Sequence, residues 1–255
     1  MIRLQWLDYL ATLRERKTWL CGAMLLYAVL SIPVILARPP AHVQEAISTW
    51  FGHGGPFVIF MYVWIDLAMN KIIAFLPVVL ASGVVLRERD VGVLSILAAK
   101  PLSMSRYFAL RAVSACAVMA TLHVGAQLLG LVYFSARVPG FEPLTFLAAM
   151  TPHLFAAIFA TGFSAAIAAW VKHRGASALL GLAVLGLLLG LSLVGFYQPA
   201  WRTLTLVNPM SLGALALGNL DHLGAADLAP PTIALSLLSI TAIAMGAAGV
   251  RRMEA

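Results

Sequence analysis

The stretch Arg87–Arg111, RERDVGVLSILAAKPLSMSRYFALR, lies between two strongly apolar runs and decides how the whole chain is read. It carries Arg87, Arg89, Lys100, Arg106 and Arg111 against only Glu88 and Asp90. Gly92 lets the chain turn. Val93, Leu94, Ile96 and Leu97 then recur at helical spacing until Pro101 ends the run. Pro101-Leu102-Ser103 reads as a turn into the next apolar segment, with Ser103 or Ser105 placed to cap its first N–H groups. The expectation is a short helix outside the bilayer, between two spans, with one apolar face. Such a face needs a covering surface, and a partner protein would supply it.

Composition agrees with a membrane setting. Of 255 residues, 62% are hydrophobic and 11% charged, with mean hydropathy +0.93. Soluble domains carry roughly 25% charged residues, and a water-soluble fold of this length could not hide so much apolar surface. Judged against the roughly 20 apolar residues needed to cross about 30 Å of hydrocarbon, six spans are expected. They fall near Thr18–Ala37, Ile72–Leu86, Ala112–Phe134, Leu147–Val171, Ala176–Phe196 and Thr232–Val250. The apolar run Phe57–Ile65 is read as an outward extension of the second span, which Pro77 kinks. The first run lacks a small-residue cleavage site and reads as a span rather than a secretory leader.

Charge gives the orientation. Thirteen of the 17 Lys and Arg lie on one side of these spans, and only Arg38, Lys71, Arg137 and Arg202 on the other. The acidic residues split five and five, so the basic residues alone set the orientation, and both termini are expected in the cytoplasm. The formal net charge of +7 is therefore a topology signal and not a nucleic-acid footprint. Within residues 1–17, Ile2, Trp6, Leu10 and Leu13 share a helical face, as in a helix lying in the interface. The expected class is an all-α polytopic membrane protein, one transmembrane domain over 1–255. It has an elbow helix at 1–17, a cytoplasmic loop at 87–106 and an outer segment at 197–231.

Catalytic chemistry is nearly absent from the sequence. It has no G-x-x-x-x-G-K-[ST] phosphate loop, no H-E-x-x-H and no Cys-x-x-Cys. Cys21 and Cys116 lie in apolar runs and read as packing residues. The six histidines are scattered and the ten methionines form no dense cluster, so no metal site is expected. Intramembrane polar residues are the remaining pointers. Asp66 and Asn70 stand at i, i+4 near the outer end of the second helix, where they either line an exit or meet water and headgroups. His123 and Gln127 repeat that spacing in the third span, facing substrate or bonding another helix. Gly186 and Gly190 offer a small-residue face for helix packing.

The pattern through the opening stretch resembles the first cytoplasmic loop of permease subunits of type-2 ABC exporters. Glu88, Asp90, Gly92, Leu94, Leu97, Pro101, Ser103 and Arg111 stand where that family has its charge cluster, glycine, leucine stripe, proline, serine and following basic residue. Met104 departs from the arginine many members carry, with Arg106 two residues on as its replacement. Asn208-Pro209 ahead of the last span is similar to the family's re-entrant or surface helix, and residues 1–17 to its elbow helix. The resemblance implies two copies of an ABC-type ATPase gripping 87–106, with Leu94 and Leu97 in an apolar cleft and Glu88, Asp90 and Arg106 at its rim. It also implies ATP and Mg held by those partners and no cofactor in this chain. A second permease copy or a sister chain, contact with membrane lipids, and a place in a bacterial plasma membrane follow too. A passive channel or scaffold, and a membrane-embedded enzyme, are the competing classes; the first would not need an apolar-faced inner helix, and the second would need an acidic or histidine cluster that the inner halves of the spans lack.

Overall fold

A computed structural model of the chain describes residues 2–37, 55–90, 92, 103–201 and 203–252. All regular structure among them is helical. Helix α1 (Ile2–Leu13) leads into α2 (Arg16–Ala37). The second span begins as α3 (Pro56–Tyr62), passes through a π-helical segment, Val63–Met69, and continues as α4 (Asn70–Ala81). After a turn it ends in the short α5 (Leu86–Asp90). Then come α6 (Met104–Ser135), α7 (Pro143–Trp170) and α8 (Arg174–Tyr197). The short α9 (Thr203–Val207) and α10 (Pro209–Ala214) lead through a 3₁₀ stretch, Leu215–His222, to α11 (Ala225–Arg251).

Six of these runs are long and apolar enough to cross a membrane: Arg16–Ala37, Pro56–Asp90, Met104–Ser135, Pro143–Trp170, Arg174–Val194 and Ala225–Arg251. The chain is a multi-pass membrane protein. The second run differs most from the sequence expectation. It is helical from Pro56, and Pro77 sits inside the unbroken α4. The Ile72–Leu86 window also overshoots its α-helical part, because the chain turns after Ala81. In that turn Val85, a buried β-branched residue, adopts φ +69° in the left-handed region. The other spans begin earlier than hydropathy suggests. Helices α6 and α11 carry a further polar or Pro-containing turn or more at their N-termini, which a hydropathy window discounts.

Helix α7 is the axis of the bundle and packs against α4, α6, α8, α10 and α11. Its sequence explains why. Ala156, Ala157, Ala160, Gly162, Ala165, Ala166 and Ala169 leave its surface thin, so neighbouring backbones come close where lipid offers no hydrophobic drive. The contact with α11 needs this. A Cβ on Gly246 would run into the Phe108 ring and lie 3.0 Å from the Ala166 Cα. The hydroxyls of Thr161, Ser164, Ser236 and Ser239 donate to carbonyls one turn back in their own helices, so these polar groups enter the spans satisfied. At the end of the bundle where α6 meets α7, Phe60, Trp64, Phe134, Phe141 and Phe146 form an aromatic cluster, with the Phe60 and Phe134 centroids 4.7 Å apart.

Candidate functional site

Two places concentrate polar side chains. The first is the basic end of the bundle, where the opening stretch begins. The Arg111 guanidinium of α6 pairs with Asp8 of α1 and, at 3.3 Å, with Glu88 of α5. All three side chains are no more than 16% exposed, so these charges have largely left solvent. Asp90 pairs with Arg174 at 3.0 Å, and Arg87 with Glu15 at 3.6 Å. Lys17 Nζ donates to the Leu80 carbonyl at 2.7 Å, meeting one of the acceptors that a helix C-terminus leaves open. Together these contacts clamp α5 to α6, α8 and the joint between α1 and α2, while Arg111 ties it on to α1 and Lys17 ties α2 to α4. A cavity of about 410 Å³ opens among Glu15, Lys17, Ser82, Arg87, Arg111 and Arg174.

Beyond α5, Gly92 takes φ +73°, which glycine reaches without a Cβ penalty. Ser103, not Ser105, caps α6, its hydroxyl accepting from Arg106 N at 3.4 Å. Ser105 instead faces α11, donating to the Ala247 carbonyl at 3.1 Å and accepting from Arg251 at 3.0 Å. Leu94, Leu97 and Pro101 lie outside the described residues. Both flanks of the stretch are thus fixed to the bundle.

The second place is the bundle interior. Asp66 and Asn70 share a face, as their spacing implies, with Asn70 Nδ2 donating to Asp66 Oδ1 at 3.3 Å. Both are buried, Asp66 within the π-helical segment and Asn70 immediately after it. Such segments recur at functional sites, because the extra residue re-aims side chains. Gln127 accepts from the Trp64 indole N–H at 3.3 Å, tying the π segment to α6. His123 does not bond Gln127. Its ring stacks on His153 of α7 with centroids 5.3 Å apart and planes at 27°. Both imidazoles are buried, and none of their four nitrogens has a hydrogen-bond partner among the described residues.

His153 and Trp64 were missed by reasoning along single helices, although a signal for His153 existed. His123 and His153 lie sixteen residues before and fourteen after Pro139, so a hairpin closing there brings them to one depth. The buried Arg111–Asp8 pair was also missed, because those residues are 103 positions apart. Asn208 behaves as a cap, its Oδ1 accepting from Met210 N at 3.0 Å while its Nδ2 donates to the Leu188 carbonyl. Every residue of α10 is buried. Gly186 and Gly190 are exposed on α8, and a Cβ on either would meet nothing within 4 Å. They serve no packing among the described residues.

No family model matches this sequence, and no curated protein matches it significantly.

Proposed function

We propose that this chain is the membrane-spanning permease subunit of an ATP-driven exporter of the type-2 ABC class. In this reading two cytoplasmic ATPase subunits bind ATP and Mg, and the permease itself holds no cofactor and hydrolyses nothing. A second copy or a sister permease completes the pathway in a bacterial plasma membrane, and the exposed Gly186–Gly190 face of α8 is available for that contact. Both termini lie in the cytoplasm, with α1 as the interfacial elbow.

One observation carries the reading: the glycine-to-proline stretch 92–101 has its leucines at helical spacing, and the described residues on either side of it are held to the bundle. On one side α5 is held by the Glu88–Arg111 and Asp90–Arg174 pairs. On the other, Ser103 caps α6. A push on the stretch by a closing ATPase dimer would therefore reach α1, α6 and α8 together instead of dissipating in a loose loop. Leu94 and Leu97 supply the apolar anchors that dominate interface energy, and the nearby charges tune rate and specificity. Leu97→Asp is expected to abolish co-purification of the ATPase and to uncouple hydrolysis from export. Intact co-purification and export in that variant would refute the proposal.

A further inference from the structure

The stacked His123–His153 pair has no role in the reading above. Two imidazoles bring four ring nitrogens into the core with no hydrogen bond to any of them among the described residues, on two helices that contain no Asp or Glu. An unpaired buried polar group is a net cost to the fold. A bound ion is one of the few things that can complete such groups inside a bundle. The rings stack with centroids 5.3 Å apart, which puts four imidazole nitrogens of two different helices in one small volume.

The surroundings limit what fits there. No group of three or more His, Cys, Asp or Glu occurs among the described residues, so the four-ligand shell that zinc takes is missing. Burying an ion costs in proportion to the square of its charge, and without a carboxylate from α6 or α7 a divalent ion is strongly disfavoured. A soft monovalent cation with filled d orbitals is content with two imidazoles and favours thioethers as further donors. Met119 stands one turn before His123 on α6, and Met150 one turn before His153 on α7. Both are buried in the same core cluster. Because the helices run in opposite directions, Met119 and Met150 stand one turn from the histidines on opposite sides along the bundle.

We propose that His123 and His153, flanked by Met119 and Met150, form a site for a soft monovalent cation, Cu(I) or Ag(I), between α6 and α7. The site needs only the packing of these two helices, so its failure leaves the transport reading untouched.

The test uses the full chain in lipid nanodiscs, loaded with Ag(I) as the redox-inert probe and then desalted against a weak chelator. Stoichiometric retention is expected in the parent protein. Retention should weaken about tenfold or more, on the scale of lost metal-supporting contacts, in His123→Phe and in His153→Phe. His222→Phe, at an exposed histidine away from the pair, should retain the ion. Equal retention in both ring variants, or tighter retention of Zn(II) than of Ag(I), overturns the site. Should the phenylalanine variants not fold, ¹⁵N-histidine spectra of the parent protein decide. Ag(I) is expected to shift two of the six histidines. No shift, or shifts confined to exposed histidines, overturns the site.

Discussion

Arg111 answers two carboxylates at once, Asp8 and Glu88, in a setting where neither is well solvated. Removing one member of a buried ion group strands the others, and the loss is typically about 3–5 kcal/mol. Arg111→Leu is therefore expected to lower the thermal midpoint in detergent sharply. The same substitution at Arg87, whose side chain is 63% exposed, should change it little. A steric counterpart lies at the α7–α11 contact. Gly246→Ala drives a methyl into the Phe108 ring, with an expected cost of about 1–3 kcal/mol. Adding Phe108→Leu should recover part of that loss, because the obstructing atoms belong to the ring edge. Additive melting shifts in the double variant would show that the two residues do not meet.

Among the elements, the π-helical segment departs most from a regular span, and it is held to α6 by the Trp64–Gln127 bond. Trp64→Phe keeps an aromatic ring beside Phe60 and Phe134 but removes the indole donor. The expected cost is about 1 kcal/mol from the hydrogen bond, beyond any change in ring packing. Pairing it with Gln127→Leu should restore much of that part, since replacing both partners by apolar groups leaves nothing unsatisfied. The spans themselves were legible in the sequence because each presents an apolar run near bilayer length. Ser103 was legible as a cap and Asn208-Pro209 as a helix start, both being local signals. The π segment was not, because Val63–Met69 has no local signature in the sequence. The Arg111 cluster was illegible for a related reason: it joins Asp8, Glu88 and Arg111, far apart in sequence. The histidine pair was legible only by counting both rings from the Pro139 hairpin, which reading along one helix does not do.

For the whole molecule, the charge asymmetry makes the orientation testable. Cys21 and Cys116 are buried and therefore poor targets for a bulky maleimide. A cysteine introduced at Leu144, which is 82% exposed at the start of α7, should label in intact cells with an impermeant reagent. One introduced at Arg106 should label only after the membrane is opened. The reverse pattern would invert the topology assigned from the basic residues. One backbone feature bears on how such a molecule would move. Val85 holds a conformation that L-residues with branched side chains avoid, at the joint between α4 and α5. A residue kept there stores about 1–3 kcal/mol, released when the joint swings to an ordinary conformation. The bundle thus keeps a cocked elbow beside the proposed drive point, and a thrust from outside would find part of the work of bending already done.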